Sequence, residues 1–294
     1  MPAGTEELAV AVARLRAGHA VAFPTETVYG LGADAFNEQA VARVFALKGR
    51  PAGNPLIVHV ADEAMAQRVT GGGGWPPEAF LLAAAFWPGP LTILLPRSPL
   101  IPAIVTAGSP FVGVRCPDHR LTLSLLAAFG GPLVGPSANP SGRVSPTRPE
   151  HVAESFTPDE VFVLDGGPCP GGIESTVLSL EPHGPTILRP GPVPAAMIAE
   201  TLGRPVTIVT TPAAAPDQPH HSPGLLPRHY APRTPAVLFT PAELPALLAH
   251  GSASGPVAVI THTPRAVPPP HQIIPMPADA PGYAARLYAA LREA

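Results

Sequence analysis

The sequence predicts a mixed α/β fold: a twisted mixed sheet with helices packed on it, followed by a small C-terminal α/β unit of Rossmann-like pattern. Three observations carry this expectation. Short β-like runs alternate with helical patterns as far as about residue 210, without the regular strand–helix–strand series that builds a purely parallel sheet. Apolar residues make up 46% of the chain, enough for a real core, while only 13% are charged. Proline, 44 residues in all, dominates with alanine in TPAAAPDQPHHSPG after Thr210, where apolar periodicity stops. The expected division is therefore a large domain over residues 1–209, a linker over 210–233 and a small domain over 234–294.

The elements follow in order. Residues 6–17 place Leu8, Ala11, Val12 and Leu15 at helical spacing, with acids in the first turn and Gly18 as a stop. The strand HAVAF (19–23) leads into a polar loop, and a helix is predicted over 38–47. PLIVHV (55–60) reads as a strand, and a helical region ends near Phe86. Further strands are predicted at 90–95, 111–115, 132–135, 161–165, 175–180 and 186–189, with helices over 119–129, 148–155 and 194–202. Beyond the linker, AVLF (236–239), VAVI (257–260) and IIPM (273–276) read as strands, with helices over 241–249 and 280–292. About 60 residues make a marginal independent fold. The run from Gly71 to Gly74 reads as a surface turn without function.

Composition excludes several classes. No apolar stretch approaches the roughly 18 residues of a membrane span, and MPAGTEELAV lacks a basic region followed by an apolar block, so a soluble cytoplasmic protein is expected. Cys116 and Cys169 form no Cys-x-x-Cys pair, which argues against a zinc site or a disulfide framework and leaves two buried or incidental thiols. A net charge of −3 provides no global field for nucleic acid, although a local Arg-lined groove is compatible with it.

Four polar phrases each follow an apolar run, where strand ends deliver residues into a cleft. The first is Pro24-Thr25-Glu26-Thr27-Val28-Tyr29-Gly30-Leu31-Gly32, whose hydroxyls, carboxylate and glycines suit a small polar ligand or a structured turn. The second, Leu47-Lys48-Gly49-Arg50-Pro51, holds the chain's sole lysine, all seventeen other basic residues being arginine. A compact ammonium with three donors fits a phosphate pocket that a planar fork does not, while a helix C-terminus would favour a cation in any case. The third, Pro136 to Thr147, offers hydroxyls, an amide and an arginine on a bend. The fourth joins Gly172-Ile173-Glu174-Ser175-Thr176 to Leu188-Arg189-Pro190-Gly191, where Glu174 and Arg189 could also form a cross-strand ion pair.

Taken in order, FPTETVYGLGADA, KGRPAGNPLIVHV, FWPGPLTILL, VGVRCPDH, PSANPSGRVSPT, GIESTV and ILRPG closely resemble the YrdC-like threonylcarbamoyl-AMP synthase family over residues 19–192. SPGLLPRHYAP (222–232) resembles the junction of its two-domain form. The resemblance implies the YrdC-like α/β fold and an enzyme that condenses L-threonine, bicarbonate or carbon dioxide, and ATP into threonylcarbamoyladenylate, releasing pyrophosphate. The product would pass to a tRNA threonylcarbamoyl transferase complex.

By that resemblance, Lys48 and Arg50 are the catalytic cations that hold the triphosphate. Ala52, Ser137, Asn139, Ser145, Arg189 and Pro227 complete the ATP site, while Thr25, His59, Arg115, Gly135 and Ser175 form the threonine site. Magnesium is expected mainly through ATP and water, with no protein cage. The linker is expected to fold over the active site, and the C-terminal domain looks shortened. Two rival readings are a double-stranded RNA-binding module, which leaves weak RNA binding as a further expectation, and a carbamoyl-transfer maturation protein of the HypF type. The acidic balance and low aromatic content, 5%, speak against the first. The chain lacks the acylphosphatase and Cys-rich zinc segments that the second predicts.

Overall fold

A computed structural model describes residues 4–71, 74–180, 184–209, 230–251, 255–263 and 265–294. Pro227, Gly72, Gly73 and residues 210–229 of the predicted linker lie outside the described residues. The elements run α1 (Thr5–Arg16), β1 (Val21–Phe23), β2 (Gly30–Asp34), α2 (Glu38–Lys48), β3 (Ile57–His59), α3 (Glu63–Val69), α4 (Pro77–Phe86) and β4 (Leu91–Pro96). After a 3-10 turn at Ala103–Thr106 come β5 (Phe111–Arg115), α5 (Arg120–Phe129), β6 (Leu133–Val134), α6 (Pro149–Ala153), β7 (Phe162–Val163), β8 (Thr176–Ser179), β9 (Thr186–Arg189), α7 (Ala195–Leu202) and β10 (Thr207–Ile208). The C-terminal part contains α8 (Leu244–Gly251), β11 (Ala258–Thr261), β12 (Gln272–Pro275) and α9 (Ala280–Glu293).

Ten strands form one mixed sheet in the order β10-β9-β8-β4-β5-β3-β6-β2-β1-β7, and β11 and β12 pair in parallel as a separate sheet. In the centre, β3 runs parallel to β5 and antiparallel to β6, so His59 stands opposite Arg115 on one side and Leu133 on the other. Successive strand residues point to opposite faces. Ala20 and Ala22 enter the larger core with Leu31, Val44, Leu82 and Ile93, while Val21 and Phe23 enter a second core with Leu15, Leu125 and Leu133, roofed by α1 and α5. The sheet is thus covered on both faces. Among the described residues, no helix is long and apolar enough to cross a membrane.

Local signals explain most boundaries. Asn37 caps α2 by accepting from the amides of Gln39 and Ala40, both at 3.1 Å, and Gly49 ends the helix in the left-handed region at φ 55°. That stop leaves Lys48 on the last helical turn and Arg50 on the loop beyond it. The helical region predicted to end near Phe86 is two helices, because Asp62 caps α3 and Pro77 opens α4 on either side of the glycine run.

Two expectations need correction. The phrase after HAVAF is not all loop, since Gly30–Asp34 is strand β2, antiparallel to β1 with Val21 opposite Gly32. Its glycines disguise it, yet they are what allow the pairing: a Cβ on either Gly30 or Gly32 would stand 2.8 Å from the Phe23 ring. Conversely, AVLF (236–239) forms no strand; Val237 is 69% and Leu238 103% exposed, and Phe239 packs instead against the cluster of Leu244, Leu248 and Val259. Strand β10, which pairs in parallel with the predicted strand β9, carries no such signal in the sequence.

Ile93, fully buried at the centre of β4, and Leu238 make a matched pair for testing this assignment. Ile93→Ala is expected to cost about 2–5 kcal/mol in urea unfolding, and Leu238→Ala less than about 0.5 kcal/mol. Equal costs would contradict the placement of the core.

Candidate active site

The C-terminal ends of β1 and β5, the loop after α2, the loop after β6 and the chain entering β8 converge on a cleft with about 470 Å³ of empty space, open solvent included. Arg50, His59, Arg115, Ser137, Ser175 and Arg189 line it, together with Gly135. The structure therefore brings together residues from both predicted sites.

Each cation is held by backbone oxygen. Arg50 donates through Nε to Asn54 O at 2.9 Å and through Nη2 to Asn54 Oδ1 at 2.9 Å and Pro55 O at 2.7 Å. Arg189 donates to Ser175 O from Nε at 3.1 Å and from Nη2 at 2.9 Å, to Ser175 Oγ at 3.1 Å, and to the Tyr230 hydroxyl at 3.3 Å. Lys48 Nζ donates to Ser137 O at 2.5 Å and Asn139 O at 2.6 Å, pinning the loop after β6 to the end of α2. Only 2% exposed, the Lys48 side chain stands behind the cleft wall. Arg115 donates to Gly89 O at 3.3 Å and Thr27 Oγ1 at 2.9 Å, and its Nη2 lies 2.6 Å from Glu26 Oε1. That last contact is ionic without hydrogen-bond geometry, and Glu26 Oε2 makes no hydrogen bond among the described residues.

Burial dominates the electrostatics. It pulls the Lys48 ammonium well below its ordinary pKa, with the Arg50 charge adding to the effect, and brings Arg50 down to about 10. His59 is likewise held below the ordinary imidazole range, first by burial and then by Arg115. Its ring packs edge-on against Phe23 at 5.3 Å, and its Nδ1 has no hydrogen-bond partner among the described residues. Gly135 makes room for it, because a Cβ there would lie 2.6 Å from Nδ1. Cys116 and Cys169 are buried free thiols, raised by burial to about 11 and 12.

Other predicted residues stand back from the cleft. The Thr25 hydroxyl closes its own turn by donating to Val28 O at 2.7 Å and accepting from the amides of Thr27 and Val28. It is Thr27, two residues on, that lines the cleft. Asn139 shapes its loop through Pro140 O and Arg143 O, at 2.8 and 3.0 Å, and Ala52 is exposed on the turn after Arg50. Ser145 donates to Glu174 Oε1, and Tyr288 donates to Glu174 Oε2 at 2.6 Å. Glu174 is thus engaged with hydroxyls, and among the described residues it forms no ion pair with Arg189, contrary to the cross-strand alternative.

The residues that sequence reasoning did not single out are Glu26, Thr27, Asn54 and Tyr288, while Glu174, read as an ion-pair candidate, and Tyr230, expected near the nucleotide pocket, both line the cleft. The first three lie inside the polar phrases or next to them, where the pattern marks a segment but not which side chain turns inward. Tyr288 carries no signal at all, being on a helix remote in sequence.

The Sua5, YciO and YrdC family model, described as telomere recombination, matches residues 13–191, and the model of the threonylcarbamoyl-AMP synthase C-terminal domain matches residues 193–294. A threonylcarbamoyl-AMP synthase of Pyrococcus abyssi is 42% identical over 79% of this chain and 67% of its own length. One from Bacillus subtilis is 44% identical over 79% of this chain and 66% of its own. The chain thus spans about two thirds of the length of both relatives. The crystal structure of P. abyssi Sua5 complexed with L-threonine aligns with a TM-score of 0.88 at 37% identity, covering 97% of this chain and 84% of that one.

A neutral buried imidazole has a definite effect on stability. With a folded pKa below the unfolded value of about 6.5, His59 contributes stability that is present above that pH and lost as pH falls beneath it, because the unfolded chain then binds the extra proton. His119 and His151 shift in the same direction. The urea midpoint is expected to drop between pH 7.5 and 5.5, with a shallower slope in His59→Asn. An unchanged slope in that variant would mean that His59 titrates as in water.

Proposed function

Since the chain belongs to the Sua5–YciO–YrdC family and carries a threonylcarbamoyl-AMP synthase C-terminal domain, we infer that it is an L-threonylcarbamoyladenylate synthase acting in tRNA modification. The observation that carries this reading is a cleft lined by three guanidiniums and one carboxylate, with Lys48 bracing its wall. Such a cleft suits a substrate pair rich in negative charge, namely the carboxylate of an amino acid and a triphosphate. The named relatives and the threonine complex of P. abyssi Sua5 support that pairing.

The chemistry needs no protein nucleophile. The amine of threonine takes up bicarbonate as a carbamate with loss of water. A carbamate oxygen then attacks the α-phosphorus of ATP, and pyrophosphate leaves. Two anions must approach each other, so the protein's task is orientation and charge neutralisation. Arg115 grips the threonine carboxylate with its fork, Thr27 and Ser175 add hydroxyl contacts, and neutral His59 keeps a second positive charge away from the amine. Arg50 and Arg189 face the phosphates. Lys48 holds the loop from Ser137 to Asn139 in place against them.

Magnesium, when it accompanies ATP, supplies further charge neutralisation at the phosphates. Among the described residues Glu174 is the one acidic side chain lining the cleft and no cluster of three or more His, Cys, Asp or Glu occurs, so an ion arriving with ATP would be held chiefly by phosphate and water. The adenylate then serves a separate tRNA-modifying transferase.

Pyrophosphate release from ATP is expected to require both L-threonine and bicarbonate, each omitted in turn. Release that ignores threonine would sink the assignment. Lys48→Arg keeps the charge but places a wide fork where two carbonyls accept from a compact ammonium. Turnover should fall on the order of 100-fold through misplacement of the loop, with the thermal midpoint measured alongside. Near-normal turnover would show that any buried cation suffices at that position.

A further inference from the structure

Helix α9 belongs to the C-terminal part of the chain, yet it touches the carboxylate of the cleft. Tyr288 donates to Glu174 Oε2 across 114 residues of sequence, while Ser145 donates to Oε1, so the two oxygens are held from opposite sides. The Tyr288 ring stacks on Tyr230 with centroids 5.9 Å apart, and Tyr230 in turn accepts from Arg189.

The seat of the helix is built for this contact. Gly172 lies at φ 71°, and a Cβ there would come within 2.4 Å of Ala285 Cα and 2.5 Å of Ala284 O, so only glycine admits α9. Val28, Val144 and Tyr288 are buried together, with Ile173, Leu287 and Leu291 packed around them. Arg292 adds hydrogen bonds to Val144 O at 2.6 Å and Glu154 at 2.7 Å.

We propose that Tyr288 is a positioning residue of the nucleotide half of the cleft: it holds the Glu174 carboxylate toward Ser145 and away from the cations that face the phosphates. The proposal rests on the functional reading above. A carboxylate beside guanidiniums in a site of low dielectric is drawn to them strongly. Left without its phenol donor, Glu174 can turn to Arg189 and neutralise charge meant for the triphosphate. The hydroxyl of Tyr288 satisfies the carboxylate without adding a charge. Through this bond the C-terminal domain forms part of the active site.

Tyr288→Phe removes the donor and keeps the ring on Tyr230. Its KM for ATP should rise on the order of tenfold, as for loss of a hydrogen bond to a charged group, while the KM for L-threonine stays within twofold. Gly172→Ala, which lifts α9 by a backbone clash, should give the same ATP-selective defect. Calorimetric affinities for ATP and for threonine, taken on each variant with its thermal midpoint, read the effect without turnover. Unchanged ATP affinity in Tyr288→Phe would overturn the proposal, and so would an equal loss of both substrates, the mark of a merely structural contact. Wild-type protein that binds ATP but fails to release pyrophosphate with threonine would instead count against the functional reading, and the affinities would still decide the role of Tyr288.

Discussion

A guanidinium or ammonium taken out of water loses several kcal/mol of solvation, and this protein buries Lys48, Arg50, Arg115 and Arg189 around one cleft. Among the described residues, three of them have no carboxylate partner in hydrogen-bonding range. Backbone carbonyls of residues 54, 55, 137, 139 and 175 accept their protons instead. A carbonyl dipole satisfies a donor yet leaves the charge in place, so the cleft keeps a positive field that an anionic ligand can use. Among the described residues, Arg115 alone of the four has a close ion-pair partner, Glu26, and even there the second carboxylate oxygen has no hydrogen bond.

This arrangement dictates the polar loops. Carbonyls can converge on a buried cation only if the chain doubles back, which accounts for the density of glycine and proline in the segments after α2 and β6. Gly49 ends α2 so that Lys48 and Arg50 diverge, one behind the wall and one along it. The sheet supplies the reference frame: His59 and Arg115 are cross-strand neighbours on parallel β3 and β5, and Gly135, just beyond β6, is small enough to let His59 lie beneath the cleft.

The C-terminal part is tied into the same frame. A glycine in the GIESTV phrase admits α9, and the small cluster of Val28, Val144 and Tyr288, with Ile173 packed against it, joins three of the polar segments to that helix. Ala231 extends the tie through its amide to Gly142 O at 2.9 Å. The two halves matched by separate family models thus share hydrogen bonds at the cleft wall.

The sequence by itself determined the α/β class, nearly all the strands and helices of the large domain, the two buried thiols and the four segments that surround the cleft. Periodicity, caps and polar phrases after apolar runs are local signals, and they survive folding. It misjudged β2 because Gly30 and Gly32 look like loop residues until the Phe23 ring they accommodate is known, and it credited AVLF with a strand that has no partner. Within the phrases it could not choose Thr27 over Thr25, since facing inward or closing a turn depends on backbone dihedrals that composition does not encode. Only the tertiary structure decided that Lys48 braces the wall while Arg50 lines it, and that Tyr288 meets Glu174. Contacts between residues far apart in the chain are set by sheet order and helix docking, and those belong to the fold as a whole.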